Sequence, residues 1–569
     1  MKKENKPKAA KATPASQVKK KSETDSAFSG FSDSPAFYYF LLGIVIIAVS
    51  VIRWRFIPIP LERDEGEYAY FGQLILNGIA PYKEAYNMKL PGIYYMYAFI
   101  MAIFGESHKG IHTGLLVMNA ATMLLFFQAF KKFFNPMTGL LTAGFYGLMA
   151  MSYHVYGSAA HATHFAVFFI AVALFFLARY EEKKSILYAA LTGAALGMAF
   201  LMKQQAVYFI LFGGLVFVFF RFLEKTRDIR KAVIHTLSFS TAVFLPYLLV
   251  VLIMYSTGTF DRFWFWTVQY ASQYATGVTW ELGKKYLSQN FPLFYPENLW
   301  ISILAMAGVL ALLFTKYSLK QKVLAVAFTV FGILATTPGL YFRQHYFIVL
   351  LPAVALLAGI TLDAAGRMLA DASKAKMIRW ALPFLVMVLL FGKAISGDKE
   401  YYAPKNPVAL CKAMYGGNPF VESVEIAKYI KANSSETDRI AVLGSEPQIE
   451  FYADRKSATG HIYMYGLMEI HEYNLKMQEE VISEIEKNKP LYIVFCNVSF
   501  SWLEKSKSPR RIFEWWEKYS VANYHLVGLV DIPVRGASSY YWGADANRNP
   551  QNQDSVWILK RNDEKEKSL

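Results

Sequence analysis

With 569 residues, 54% of them hydrophobic and only 18% charged, and a mean hydropathy of +0.25, the chain is not a soluble domain and reads as a polytopic membrane protein. The formal net charge of +16 does not point to nucleic acid, because the basic residues gather in an N-terminal tail and in short loops, with no groove interleaved with base-stacking aromatics. Two cysteines, Cys411 and Cys496, make neither a disulfide framework nor a zinc ligand set.

Residues 1–35 carry Lys2, Lys3, Lys6, Lys8, Lys11, Lys19, Lys20 and Lys21 and have little to bury, so a disordered basic cytoplasmic tail is expected there. The first apolar run, residues 36–52, starts far from the terminus without a small-residue cleavage pattern and is expected to stay as a signal anchor. The next stretch, residues 61–92, packs Arg63, Asp64, Glu65 and Glu67 beside the membrane surface. Carboxylates there are costly unless paired or facing a polar cavity, the alternative being a solvated loop. Residues 93–104 are too few to cross a bilayer of about 30 Å and read as an interfacial or re-entrant helix.

Near-spanning apolar runs follow at residues 113–130, 137–152, 161–177, 186–202, 206–220, 232–255, 299–314, 323–336, 346–360 and 380–395. With the anchor they make about 11 spans. Lys131 and Lys132, then Arg179, Lys183 and Lys184, Arg221 to Lys231, Lys316 to Lys322 and Arg367 to Arg379 all fall in alternate loops. Positive loops face the cytoplasm, so the N-terminus is expected inside and everything after Gly397 outside.

From residue 398 the texture changes to mixed charge. Strands are expected at residues 440–443, 491–495 and 525–532 and amphipathic helices at 421–431 and 475–487, which together suggest an extracytoplasmic α/β domain over residues 398–569. The membrane domain then occupies residues 36–397.

Four groups on the outer face break the positive-inside trend: Lys89, ahead of Pro91 and Gly92; Lys203, which begins KQQ; and Arg343 and His345 in FRQHYF. Such cations suit a ligand with a membrane-embedded tail and an anionic head, the alternative being side chains that snorkel to the interface. His161 and His164 share a helix face and could ligate a metal, but no third ligand is identifiable and a polar packing contact is preferred. Asp64 and Glu65 could hold a divalent cation through oxygen. Nothing in the sequence requires a metal or cofactor.

Five segments carry a resemblance: RDEGEYAYFGQLILNGIAPYKEAYNMKLPGIYY from Arg63, FGES from Phe104, LMKQQ from Leu201, RQHYFIVLLPAVALLAG from Arg343 and VLGSEPQIEFYADRKS from Val442. Together they resemble the GT-C glycosyltransferases, in particular the bacterial dolichyl-phosphate-mannose-protein mannosyltransferase-like group that includes the aminoarabinose transferases of lipid A. The resemblance implies an enzyme of the bacterial plasma (inner) membrane that moves a sugar from a polyprenyl-phosphate carrier to a glycolipid, polysaccharide or protein acceptor on the extracytoplasmic face. It implies Asp64 as catalytic base, Glu65 completing the acidic pair, Lys89 near the carrier phosphate and Arg343 as a later phosphate contact. Lys203 and His345 join the donor phosphate candidates, and Glu67, His161 and His164 are candidates for acceptor or cavity contacts.

There are departures from the pattern. KLPG stands where many relatives read KPP, and GSAAHATHF stands where relatives often offer an acidic residue, a place His161 or His164 could fill. Glycosyl transfer needs a base for the acceptor and stabilisation of a departing phosphate, and a single carboxylate base favours inversion. The other reading is a lipid-linked sugar or polysaccharide flippase, which should place charges at the midplane of broken helices. A scaffold whose outer domain binds a partner leaves the acidic stretch unexplained. The enzyme reading requires Asp64, Glu65, Lys89 and Arg343 to converge on one outward cavity open laterally to lipid.

Overall fold

A computed structural model describes residues 34–223 and 228–562. The expected basic tail lies outside the described residues except for Ser34 and Pro35. Those two already start the first helix, Ser34 capping it and Pro35 occupying its first turn.

Among the described residues, eight helices are long and apolar enough to cross a membrane: Pro35–Trp54, His108–Phe133, Ala162–Lys183, Gln204–Phe222, Ile229–Ser256, Pro296–Phe314, Leu351–Ser373 and Ile378–Gly397. The other three expected spans are also helical, as Pro136–Met149, Ile186–Met202 and Leu319–Leu334. At 14, 17 and 16 residues they are shorter than the stretch of about 20 that a bilayer crossing takes. Phe244, Leu248 and Leu252 on one long helix and Met306, Leu310 and Leu313 on another are exposed, as lipid-facing residues are.

Small residues set one close helix contact. A Cβ on Gly193 would lie 2.2 Å from the Phe239 carbonyl oxygen, and one on Gly197 would lie 2.2 Å from that of Val243. The small-xxx-small step in Ile186–Met202 therefore seats it directly on the backbone of Ile229–Ser256.

The C-terminal part forms one six-stranded sheet. Its strands are β1 (Arg439–Leu443), β2 (Lys456–Ser457), β3 (Tyr492–Asn497), β4 (Tyr524–Ile532), β5 (Ser539–Trp542) and β6 (Asp554–Arg561), in the order β2-β1-β3-β6-β4-β5. β1 runs parallel to β2 and β3, whereas β6 is antiparallel to both β3 and β4. Helices Phe420–Ala432 and Asn474–Asn488 appear where expected. Cys411 and Cys496 are both buried and unbridged.

The acidic stretch is not a solvated loop. Residues Arg63–Leu76 form a buried helix, clamped between the membrane helices and the sheet domain. A Cβ on Gly66 would lie 2.7 Å from the backbone nitrogen of Gln448, so the helix and the outer domain touch backbone to side chain. Arg63 donates to the Ser445 carbonyl at 2.5 Å and to Glu446 at 2.6 Å, and Tyr86 N–H donates to the Gly460 carbonyl at 2.8 Å. A buried arginine is satisfied here by groups just past the end of β1.

Candidate active site

The acidic helix begins with a capping box. Glu62 accepts the backbone N–H of Glu65 at 3.0 Å, and Glu65 accepts that of Glu62 at 3.2 Å, so two carboxylates are spent on orphan amides of the first turn. Adjacent helical residues point about 100° apart, so Asp64 and Glu65 face different surroundings. Glu65 turns to His112 Nε2 at 2.8 Å and to the Ala160 amide at 2.5 Å. Asp64 Oδ1 accepts from Lys89 Nζ at 3.0 Å and from Tyr463 Oη at 3.1 Å. Glu67, one turn on, accepts from Lys89 Nζ at 2.6 Å and from Tyr94 Oη at 2.8 Å.

One cavity gathers Asp64, Lys89, Lys203, Arg343 and His345. Its other walls are aromatic, with Tyr86, Trp266, Tyr270, Tyr274 and Tyr346 from the membrane half and Tyr463 and Tyr465 from the sheet domain. Glu65 is not among the lining residues, so the expected convergence holds for Asp64, Lys89 and Arg343 and fails for Glu65. The Asp64–Glu65 cation site fails for the same reason, since the second carboxylate is committed to His112 and Ala160.

Glycine again makes the geometry. A Cβ on Gly92 would lie 2.6 Å from both the Cβ and the carbonyl oxygen of Leu201. The chain end carrying Lys89 and the helix end carrying Lys203 can meet only because Gly92 has no side chain. The same two segments border an apolar groove of about 520 Å³, lined by Gly92, Met96, Phe99, Leu201, Met202 and Leu249 among others. Arg343 follows Leu340 and Phe342, whose φ angles of 55° and 42° lie in the left-handed region, a strained backbone of the kind found at binding sites.

His161 and His345 stack with ring centroids 4.2 Å apart, against the cavity. Together with Asp64 they offer three ligand atoms within 4.8 Å of one another, a donor set suited to a transition metal such as zinc. Lys89, 3.0 Å from Asp64, and the further cations Lys203 and Arg343 on the same walls oppose a divalent cation and favour an anion. His164 does not reach the cavity. Its ring is buried a turn into the membrane helix, and neither nitrogen has a hydrogen-bond partner among the described residues.

Burial opposes the charge of Asp64, but Lys89 foremost outweighs it and holds the carboxyl well below the usual range. Burial also opposes the charge of Lys89, yet Asp64 and Glu67 raise its pKa above the ordinary lysine range. Glu67 is pushed up by burial, with Lys89 pulling the other way. Lys203 is brought down to about 7 by burial, because the pull of Asp64 is countered by Lys89 and Arg343. Burial lowers His161 to about 4, so it is neutral at physiological pH.

Four contributors escaped sequence reading. Tyr463, Tyr465 and Glu469 reach the cavity from the sheet domain, and the tyrosine-rich HIYMYG run is a sequence signal for the two tyrosines only. Arg53, buried in the first helix, donates to the carbonyls of Ala150 at 2.9 Å and Gly157 at 3.0 Å, and so fixes the segment that leads to His161.

Residues 88–254 match the family model of the dolichyl-phosphate-mannose-protein mannosyltransferases, a stretch that contains Lys89 and Lys203 and excludes Asp64 and Arg343. No curated protein sequence matches the chain. Among solved structures, the fold is similar to that of ArnT from Cupriavidus metallidurans bound to undecaprenyl phosphate, with a TM-score of 0.57 at 13% identity over 92% of this chain and 98% of that one. It is also similar to the arabinofuranosyltransferase AftD from Mycobacteria, with a TM-score of 0.51 at 9% identity over 91% of this chain but only 39% of that one. By its helices the chain is a multi-pass membrane protein, its fold is similar to that of ArnT and of AftD, and its residues 88–254 are similar to the mannosyltransferase family model.

Proposed function

We propose that the protein transfers a sugar from a polyprenyl-phosphate-linked donor to an acceptor on the extracytoplasmic face of a bacterial plasma membrane. The observation that carries this reading is the sharing of one cavity by Asp64 and the cations Lys89, Lys203 and Arg343, beside an apolar groove whose lining includes Gly92, three residues after Lys89, and Met202, next to Lys203. A carrier whose tail lies among Met96, Phe99, Leu201 and Leu249 brings its phosphate to Lys89 and Lys203. ArnT, of the same fold, was solved with such a carrier phosphate bound.

In this reading Asp64 takes the proton of the acceptor hydroxyl or amine as that atom bonds to the anomeric carbon. The bond from that carbon to the phosphate oxygen breaks, and the electron pair leaves on the carrier phosphate, where Lys89, Lys203 and Arg343 stabilise it. The reaction inverts the anomeric centre and needs little general-acid help. A carboxylate held at low pKa by Lys89 is a weak base, so the donor has a second effect: its phosphate draws Lys89 and Arg343, and Asp64 becomes more basic. His345 lies beside the phosphate, while Glu67 holds Lys89 and His161 stacks on His345 behind the cavity wall. Glu65 acts as a positioning residue through His112 and Ala160.

The flippase reading is disfavoured because Asp64, Lys89, Lys203 and Arg343 all lie outside the eight candidate spans rather than at mid-membrane. The deciding experiment is transfer by the full chain in lipid, with a panel of polyprenyl-phosphate sugars, comparing the wild type with Asp64→Asn. Transfer that vanishes in a folded variant supports the reading. Full activity in the variant removes Asp64 from the chemistry.

A further inference from the structure

The sheet domain carries a second concavity that the transfer chemistry does not use. It is a cleft of about 740 Å³ at the carboxyl end of β3, between the short helix Ser499–Trp502, the helix Arg511–Asn523 and the start of β6. Its size is that of a ligand pocket rather than a packing fault. Phe495, Phe500, Trp502, Phe513, Trp516 and Trp557 supply aromatic surface. The rim is polar, with Asn497, Glu504, Lys505, Arg510, Glu517 and Asp554.

The rings are held rigidly. Phe495 and Trp516 are parallel within 3°, with centroids 5.0 Å apart, and Trp502 packs on Phe513 at 4.7 Å. Trp502 Nε1 donates to the Cys496 carbonyl at 2.9 Å, and Arg510 is ion-paired with Glu504. Phe500 is 50% exposed and lines the cleft, so its ring face is open to a ligand.

The cleft is joined to the catalytic cavity through one short helix. Tyr465, a wall of the cavity, donates its hydroxyl to the carbonyl of Phe500, a wall of the cleft, at 2.6 Å. On the same helix, Ser501 donates at 2.7 Å to Glu446, which also holds Arg63 beside Asp64. Whatever occupies the cleft therefore lies one short helix away from the cavity wall at Tyr465.

We propose that this cleft binds a saccharide chain, the glycan part of the acceptor; the assignment to the acceptor rests on the transferase reading above. Aromatic faces carry negative charge density and attract the C–H-rich face of a sugar ring, while carboxylate, amide and guanidinium groups at the rim pair with its hydroxyls. A peptide acceptor fits less well. The strand at the cleft, β6, is paired along both edges with β3 and β4, so it offers no open edge for an extended peptide to add to.

The test is saturation-transfer NMR on the full chain in lipid nanodiscs, with chitotetraose, mannotetraose and maltotetraose as probes and a soluble Ser/Thr-rich peptide as competitor. Wild type, Asp64→Asn, Phe500→Ala and Arg510→Ala are compared, each first shown folded by thermal unfolding. The expected result is binding of at least one oligosaccharide, equal in wild type and Asp64→Asn, and weakened by about ten-fold in Phe500→Ala and in Arg510→Ala, the effect of losing an anchoring side chain. Saccharide binding that neither cleft variant weakens overturns the proposal, as does the absence of binding by all three oligosaccharides. Displacement by the peptide, or binding of the peptide alone, overturns it in favour of a protein acceptor. Because the binding readout does not require transfer, failure of the cleft and failure of Asp64 as base show up separately.

Discussion

Tyr463 Oη donates to Asp64 Oδ1 at 3.1 Å, joining the sheet domain to the first turn of the acidic helix across 399 residues of sequence. Together with Lys89 Nζ it leaves Asp64 Oδ1 saturated and orients the carboxylate into the cavity. Replacing Tyr463 with Phe keeps the ring and removes that donor. A hydrogen bond to a charged group is worth about 1.5–3 kcal/mol, so kcat is expected to fall by one to two orders of magnitude with little change in the KM for donor. An unchanged kcat in steady-state transfer assays would show that Lys89 alone orients Asp64.

Lys203, brought down to about 7 by burial, gives a pH dependence with a definite sign. Above that value it loses the charge that attracts phosphate, so the KM for donor rises with pH through neutrality. Asp64, held low, adds no acidic limb near neutral pH. Lys203→Arg, which stays charged, is expected to flatten the rise. Stability moves the other way: between about 7 and the ordinary lysine value the unfolded chain binds more protons than the folded one, so this residue's contribution to stability grows with pH. A donor KM that is flat across neutrality in the wild type would contradict the phosphate role of Lys203.

Glu65→Gln separates positioning from catalysis. Glutamine still accepts from the Ala160 amide but brings no negative charge to the contact with His112. Transfer is expected to fall several-fold with the thermal midpoint lowered and the pH profile unmoved. A loss as complete as that of Asp64→Asn, in a variant as stable as wild type, would return Glu65 to the chemistry.

Gly66→Ala tests the seam between the two halves. The new Cβ would sit 2.7 Å from the Gln448 backbone, which no rotamer change relieves. Overpacking of this kind costs about 1–3 kcal/mol, read as a lower thermal midpoint, and it should also reduce transfer by moving Tyr463 away from Asp64.

Arg53→Met should cost stability for a different reason. It frees the carbonyls of Ala150 and Gly157, buried acceptors whose loss of a partner is worth about 1–3 kcal/mol. A variant as stable as wild type in thermal unfolding would show that other groups satisfy them.

Hydropathy and charge by themselves determined the membrane helices, because a bilayer demands long apolar runs and leaves no other conformation for them. They also singled out Asp64, Lys89, Lys203 and Arg343, since charge beside hydrocarbon is expensive enough to need a reason. The strands at residues 440–443, 491–495 and 525–532 were legible for the same kind of reason, a short apolar run being buried wherever it lies. β6 was not, since DSVWILKR mixes charge and apolar residues and gains its place only by pairing with β3 and β4. Only the tertiary structure decided that the acidic stretch is a helix, that Asp64 faces the cavity while Glu65 turns to His112, and that Tyr463 arrives from the far end of the chain. Which side of a helix a residue shows, and which distant segment meets it, depend on packing between elements that no local stretch encodes.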